Sequence, residues 1–163
     1  MRALVISGGG SKGAFAGGVA QYLMEIEKRN YDILVGTSTG SLLIPHLALN
    51  NLGKLYDIYT NVNQLSIFSL NPFIVRKKGD REYVSINFLA SILQFIKGKR
   101  TFGESKALRR TVRRNFTIEE YRQILKNKSE VVVTVSNLSK NRVEYKCIKD
   151  FSYEEFCDWI WIS

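Results

Sequence analysis

Two kinds of hydrophobic pattern follow one another in the first third of the chain. Residues 3–6 and 33–35 are short, continuous apolar runs, which are typical of buried strands. Apolar residues recur at helical spacing from Phe15 to Ile26, and again in a segment that contains Pro45, where we expect a kink. The order strand, loop, helix, strand, turn, helix predicts an α/β fold with a parallel sheet.

The middle of the chain favours helices. Apolar spacing predicts a helix over residues 55–62, an amphipathic helix over 86–96 and a further helix over 104–114. Residues 65–75 are also apolar, but they contain Asn71-Pro72. We interpret that segment as an irregular loop.

The last third predicts two strands between two capped helices. Residues 131–135 are continuously apolar, as a central strand is, and residues 143–147 alternate like a half-buried partner strand. Capping boxes are predicted to begin at Thr117 and at Ser152. The closing residues 159–162 are Trp-Ile-Trp-Ile, and we expect them to pack internally because exposing each would forfeit about 1.5–3 kcal/mol.

The composition is that of a globular protein. The chain has 163 residues, 45% apolar and 24% charged, which excludes a disordered or disulfide-rich protein. That length suits a single domain over residues 1–163. Cys147 and Cys157 are expected to be buried thiols, and no clustered spacing of His, Cys, Asp or Glu suggests a metal. We expect no cofactor.

The net charge of +9 is concentrated in one segment. Residues 76–114 hold 12 basic and 3 acidic residues, which accounts for the whole excess. Within the helix predicted over 104–114, five basic side chains fall on one arc. An anionic membrane surface would bind such an arc, a solvated helix face explains it equally well, and nucleic acid is the less favoured partner. The five residues are Lys106, Arg109, Arg110, Arg113 and Arg114.

We expect a cytoplasmic protein, with any membrane contact limited to peripheral binding. The first residues lack the apolar stretch of about 7–15 residues that a secretory leader needs. No apolar run reaches the roughly 20 residues of a spanning helix. The sequence leaves the oligomeric state open.

The first glycine motif, residues 8–13, reads Gly-Gly-Gly-Ser-Lys-Gly. It fits the dinucleotide fingerprint, which also needs an acidic residue at the end of the second strand, whereas Asp32 precedes that strand. Gly13 is followed by Ala14, so the end of a P-loop is missing as well. Bare amides at a helix start can still hold an anion, and a purely structural turn is an equal alternative.

The second glycine motif, residues 36–40, is a G-x-S-x-G run between an apolar strand and a helix. This is the context of a nucleophile elbow, in which a strained turn exposes the hydroxyl of Ser38 at a helix N-terminus. The alternative is a serine-rich N-cap with no catalytic role. The elbow residues around the serine are Gly36, Thr37, Thr39 and Gly40.

The two motifs together predict acyl-transfer chemistry. In a parallel sheet both loops follow the carboxyl ends of their strands, so we expect them to lie side by side. One loop would supply a hydroxyl nucleophile and the other a group of N–H donors for an oxyanion.

These motifs resemble the patatin-like phospholipase family. The family's glycine loop, G-G-G-x-R/K-G, matches residues 8–13 with Ser11 at the variable position, Lys12 at the basic position and Gly13 at the end. The family's elbow matches residues 36–40, and its later core strand resembles residues 131–137.

The resemblance implies a three-layer α/β/α fold with a mainly parallel central sheet. It also implies a lipid acyl hydrolase that cleaves lipid esters with a Ser–Asp dyad. Within that family pattern, Ser38 is the nucleophile, and the backbone amides of Gly8, Gly9 and Gly10 belong to the oxyanion hole.

The chain departs from the family at the Asp of the dyad. The family's Asp stands in an Asp-Gly-Gly or Asp-Gly-Ala motif after the elbow, and none of the five aspartates here is followed by glycine. Residues 161–163 resemble the lead-in to the segment before that Asp. We therefore expect the base to lie beyond residue 163, and the domain to be incomplete at its C-terminus.

His46 is the only histidine, and it is not expected to serve Ser38. It stands eight residues further along the same predicted helix, about 12 Å away at 1.5 Å per residue. We expect a core or surface histidine. Two other functions stay open: a non-catalytic lipid- or partner-binding module on the same fold and, less favoured, a nucleotide-binding protein.

Overall fold

The structure is a computed structural model that describes residues 1–61, 64–69, 72–98 and 105–163. These residues form two compact units. The first comprises residues 1–61 and 112–163, and the second lies within residues 62–111. Both glycine motifs and the central sheet belong to the first unit.

The secondary structure alternates strands and helices from the start of the chain. The strands are β1 (Ala3–Ile6), β2 (Ile33–Thr37), β3 (Phe73–Lys78), β4 (Arg81–Ile86), β5 (Glu130–Asn137) and β6 (Arg142–Cys147). The helices are α1 (Gly13–Glu25), α2 (Thr39–Ala48), α3 (Leu52–Asn61), α4 (Gln64–Ile67), α5 (Phe88–Ile96), α6 (Lys106–Asn115), α7 (Ile118–Lys126) and α8 (Tyr153–Ile162).

The central sheet has the strand order β1-β2-β5-β6. β1, β2 and β5 run parallel to one another, and β6 pairs with β5 in the antiparallel direction. In this register Leu34 lies between Leu4 and Val131. The predicted α/β fold with a mainly parallel sheet is confirmed, and the carboxyl ends of β1 and β2 are neighbours.

The core of the first unit lies where the two innermost strands meet the helices. Leu34 of β2 and Val131 and Val133 of β5 are buried, as continuous apolar runs in central strands should be. Leu43 of α2 and Phe156 of α8 are fully buried. The buried side chains of α2 hold this helix in the core, and with it the turn that contains Ser38.

Small residues, rather than the large apolar ones, form the buried face of α1. Gly13, Gly17 and Ala20 are buried, whereas Phe15 is 78% exposed. A Cβ at Gly17 would lie 3.0 Å from Leu55 Cδ2, so the absence of a side chain there lets α1 approach α3 closely. The helical spacing of the large residues predicted the helix but not the face that packs.

The interpretation of residues 65–75 as an irregular loop is wrong in part. α4 covers Gln64–Ile67, and β3 begins at Phe73, directly after Pro72. β3 and β4 form an antiparallel hairpin whose turn contains Gly79 at φ 62°. Every residue of β4 is exposed, and only Val84-Ser85-Ile86 alternates between apolar and polar, which is shorter than the roughly four to eight residues that would predict a strand. Two positions in these predictions lie outside the described residues: Asn71, in the predicted loop, and residue 104, the predicted start of the helix over 104–114.

Both predicted capping boxes are confirmed. Thr117 accepts a hydrogen bond from the Glu120 amide, and Ser152 accepts one from the Glu155 amide, with the reciprocal carboxylate bonds present. Both helices, α7 and α8, therefore begin at the predicted residues.

Internal packing of the last residues is confirmed in part. Ile160 is buried and both tryptophans are half-buried, but Ile162 is exposed. The Trp159 ring packs edge-on against Phe151, with Lys146 Nζ 4.2 Å from its centroid. Of the two free thiols, Cys157 is buried and Cys147 is only half-buried.

Candidate active site

Ser38 lies in the sharp turn between β2 and α2. Its backbone angles are φ 54° and ψ −120°, which a residue with a side chain rarely adopts. α2 begins at the next residue, so Ser38 stands at the helix N-terminus and is exposed. The predicted strand-to-helix turn is confirmed, and the role of residues 36–40 as a nucleophile elbow stays a prediction.

The glycines on either side of this turn allow backbone segments to meet at contact distance. A Cβ on Gly36 would lie 2.5 Å from the carbonyl carbon and oxygen of Gly40. A Cβ on Gly40 would overlap the carbonyl oxygen of Ile6 at the end of β1. Backbone atoms cannot rotate away as a side chain can, so both positions require glycine.

The first glycine loop lies beside Ser38, as the parallel strands predicted. A Cβ on Gly8 would lie 2.8 Å from Ser38 Cβ and 3.4 Å from Ser38 Oγ. The loop continues as a single 3-10 turn from Gly10, at φ 57°, to Lys12, and α1 starts at Gly13. The two motifs therefore lie side by side.

The glycine loop presents free hydrogen-bond donors. Among the hydrogen bonds of the described residues, none uses the amides of Gly8, Gly9 or Gly10, and all three residues are exposed. The Lys12 amide, in contrast, donates to Gly9 O at 3.1 Å. Because the positive end of the α1 dipole lies in the same place, this loop favours negative charge.

The main chain of Ser38 is held at both of its polar groups. Its amide donates to Ser163 Oγ at 2.9 Å, and Ser163 Oγ donates to Thr134 O at 2.7 Å. Ser38 O accepts a hydrogen bond from Ser41 Oγ at 2.5 Å. These hydrogen bonds fix the backbone at Ser38, and the Ser38 amide already donates to an acceptor.

The threonines on either side of Ser38 form hydrogen bonds with other elements of the first unit. The Thr37 and Thr134 hydroxyls lie 2.5 Å apart, which ties β2 to β5. Tyr59 Oη donates to Thr39 O at 3.1 Å, and burial raises the pKa of Tyr59 to about 12, so the phenol stays a donor. Thr39 Oγ1 is buried without a hydrogen-bond partner.

Sequence reasoning missed the residues that support the elbow from a distance. Thr134 carried a signal, since it is the one polar residue within an otherwise apolar run in β5. Tyr59 and Ser163 carried none, because each reaches the elbow through the fold rather than through local sequence.

The aspartates of the chain contact other groups or solvent. Asp32, at the start of β2, accepts a hydrogen bond from the Arg2 amide at 2.6 Å, and thus lies at the opposite end of the strand from Ser38. Asp158 forms an ion pair with Arg113. No hydrogen bond joins Ser38 Oγ to a carboxylate within the described ranges. The remaining aspartates, all exposed, are Asp57, Asp80 and Asp150.

His46 is a core residue, which is one of the two alternatives that the sequence predicted. It is 2% exposed, and its Nδ1 lies 3.9 Å from Glu120 Oε1, which also accepts a hydrogen bond from Lys54 Nζ at 2.6 Å. Burial lowers the pKa of His46 to about 4, and the Glu120 carboxylate offsets only part of that effect. Burial alone would raise the pKa of Glu120, but hydrogen bonds from Lys54 and Thr117 hold it below its usual value.

Stability is expected to fall as the pH falls from about 6.5 to about 4. In this window the unfolded chain protonates His46, whereas the folded chain keeps it neutral, so the free energy of unfolding decreases with decreasing pH. The full loss would be about 3 kcal/mol. Urea unfolding at a series of pH values measures it, and His46→Asn should remove most of this slope. An unchanged slope in His46→Asn would contradict the assignment.

Not every basic residue of the predicted cationic arc of α6 is exposed. Arg113 forms ion pairs with Glu154 at 2.7 Å and Asp158 at 3.2 Å, so its charge is balanced by α8. Arg109 is half-buried. Membrane contact through this arc stays a prediction, carried by its exposed members, which are Lys106, Arg110 and Arg114.

Comparison with known proteins decides the family. The family model described as patatin-like phospholipase matches residues 4–163. The chain belongs to the patatin-like phospholipase family. Neither the curated proteins nor the solved structures gave a match.

Membership in the patatin-like phospholipase family agrees with the fold and gives the activity at the family level. The family's α/β/α fold matches the observed sheet and helices, and its members are lipid hydrolases with lipid substrates. Where the structure describes the chain, no helix has the length and apolar character needed to cross a membrane. In the same residues, no three His, Cys, Asp or Glu side chains are grouped as a metal site would require.

Proposed function

We propose that this patatin-like chain carries the nucleophile and oxyanion hole of a lipid acyl hydrolase that cleaves carboxylic esters. The observation that carries the proposal is the pairing of an exposed Ser38 hydroxyl with unoccupied glycine-loop amides. Acyl transfer needs these two elements together.

Ser38 Oγ is the proposed nucleophile. It attacks the carbonyl carbon of the ester while its proton passes to a base, and the carbonyl oxygen takes up the negative charge. Collapse of this tetrahedral intermediate breaks the bond between the carbonyl carbon and the leaving oxygen, which takes the proton from the base and departs as the alcohol. Water that gives a proton to the same base then attacks the acyl group on Ser38, and the fatty acid leaves as Ser38 Oγ takes a proton back. The N-terminus of α2 stabilises the oxygen anion that forms on Ser38 as the proton leaves.

The amides of Gly9 and Gly10, with that of Gly8, are the proposed oxyanion donors. They belong to an exposed loop beside Ser38 and donate to no other described residue. The Ser38 amide is not part of this set, because Ser163 Oγ already accepts its hydrogen bond. Ser11, Lys12 and Gly13 complete the motif loop by leading it into α1.

The proposed base is an Asp that follows residue 163, as the family resemblance implies. The described carboxylates support this proposal because none is hydrogen-bonded to Ser38 Oγ. Ser163 Oγ, at 2.9 Å from the Ser38 amide, brings the end of α8 to the elbow.

A fluorophosphonate probe tests the proposal. The probe is expected to label Ser38 in a chain that continues through the family's Asp-Gly motif, because its phosphorus reacts with a serine hydroxyl that a base activates, and Ser38→Ala should abolish the adduct. Peptide mass spectrometry locates the adduct, and Ser11→Ala is the matched control, since Ser11 is an exposed serine of the neighbouring loop.

Two outcomes of the labelling experiment would contradict the hydrolase. Absence of an adduct, together with binding of lipid, would favour a non-catalytic lipid-binding module. Absence of an adduct, together with thermal stabilisation by a nucleotide, would favour nucleotide binding through residues 8–13.

A further inference from the structure

The hairpin of β3 and β4 and the helix α5 expose apolar side chains to an unusual degree. α5 follows β4 after the single residue Asn87. Phe95 is 82% exposed, whereas the polar Ser91 is half-buried and donates to Asn87 O at 3.0 Å. A soluble helix normally shows the reverse distribution. The exposed apolar residues of α5 are Phe88, Leu89, Ile92, Leu93, Phe95 and Ile96.

The exposed apolar side chains of α5 form one face. At about 100° per residue they occupy an arc of about 160°, and Ser91 lies outside it. An apolar surface of this kind marks an interaction site rather than a solvated face.

The register of the hairpin places its cations on one face. Residues that lie opposite each other in an antiparallel pair share a face, and Arg76 pairs with Tyr83 while Lys78 pairs with Arg81. Three basic side chains therefore project from one face of the strands, and the nearest acidic residue in sequence, Asp80, lies in the exposed turn that joins them. Lys78 and Arg81 are directly opposed like charges, which destabilises an isolated hairpin.

The opposite face of the hairpin is largely apolar. It carries Phe73, Val75, Val84 and Ile86, all exposed, and the ion pair of Lys77 with Glu82 at 3.2 Å near the turn. The carboxylate of Glu82 is thus neutralised by Lys77. The cations of the other face are left for an anionic partner.

We propose that residues 73–96, the hairpin with α5, are a docking element for an anionic lipid surface. The apolar arc of α5 enters the interface between headgroups and acyl chains, and Arg76, Lys78 and Arg81 contact the anionic headgroups. Apolar exposure alone would suit any partner, but the one-sided cations favour an anionic membrane. The proposal goes beyond hydrolase chemistry and differs from contact through α6.

Vesicle binding tests the docking element without any turnover. Phosphatidylcholine vesicles that contain phosphatidylserine should bind the protein, and binding should weaken with salt and in pure phosphatidylcholine. Replacing Arg76, Lys78 and Arg81 by glutamine should lower partitioning about a hundredfold, at about fivefold per cation. Leu89→Ser and Phe95→Ser should each lower it about tenfold or more.

Matched controls separate this element from other surfaces. Leu138→Ser removes an apolar side chain that is 90% exposed in the first unit, and Arg110→Gln with Arg114→Gln removes exposed cations of α6. Neither control should change binding as much as the variants in residues 73–96. Loss of vesicle binding in the α6 control alone would overturn the proposal and indicate that the basic residues of α6 contact the membrane instead.

A fluorescence probe keeps the proposal testable if a serine variant fails to fold. Phe95→Trp should shift to shorter emission wavelength and be quenched by brominated lipid, beyond the constant signal of Trp159 and Trp161. An unchanged emission would overturn the proposal. So would a fall in oligomeric mass in Phe95→Ser with unaltered vesicle binding, since a second copy would then cover α5.

Discussion

Residues 1–163 are expected to turn over a p-nitrophenyl ester about 10²–10⁴-fold more slowly than the same residues followed by a segment with the family's Asp-Gly motif. That range is the usual contribution of a general base, and none of the described carboxylates is hydrogen-bonded to Ser38 Oγ. His46, buried within α2, lies eight residues beyond Ser38 and does not replace the base. Steady-state release of p-nitrophenol measures the difference.

Ser38→Ala in the longer chain is the matched control for this prediction. It should reduce turnover to the rate of the buffer, because the acyl acceptor itself is then missing. Full turnover by residues 1–163 alone, lost in Ser38→Ala, would show that a base lies within this segment and that the proposed Asp is wrong.

Gly40→Ala is expected to destabilise the first unit by about 3 kcal/mol and to abolish fluorophosphonate labelling of Ser38. The added Cβ would overlap the carbonyl oxygen of Ile6, and neither α2 nor β1 can move without breaking core contacts. Urea unfolding measures the loss of stability, and mass spectrometry measures the loss of label.

Gly18→Ala provides the matched control for this backbone effect. Gly18 lies within α1, and a Cβ there would meet no atom within 4 Å. Alanine in a helix interior is favoured over glycine by about 0.5–1 kcal/mol, so this variant should be as stable as the parent or more stable. Equal stability of Gly18→Ala and Gly40→Ala would contradict the close approach at the elbow.

That the two glycine motifs lie side by side was predictable from the sequence alone. Apolar runs with loops and helices between them identify parallel strands, and parallel strands bring the loops at their carboxyl ends together. That geometry is a general property of the fold and needs no knowledge of particular contacts. The placement of Gly8 against Ser38 follows from it. The capping boxes of α7 and α8 were predictable because their hydrogen bonds join residues three positions apart.

The hairpin of β3 and β4 was not predictable from the hydrophobic pattern. A strand is recognised by alternation only where one of its faces is buried, and both faces of β4 are exposed. The same reasoning applies to α1, whose buried face consists of glycine and alanine that carry no hydrophobic signal.

The sequence by itself determined the order of the elements, the turn that exposes Ser38 and the glycines that this turn requires, because all of these depend on local conformation and periodicity. Only the tertiary structure decided which groups hold the turn. Thr134 and Ser163 stand 96 and 125 residues after Ser38, and their hydrogen bonds exist because β5 and α8 pack beside β2. The burial of His46 also depends on α3 and α7, which contribute Lys54 and Glu120. Contacts between distant segments depend on the packing of the whole unit, which no local pattern encodes.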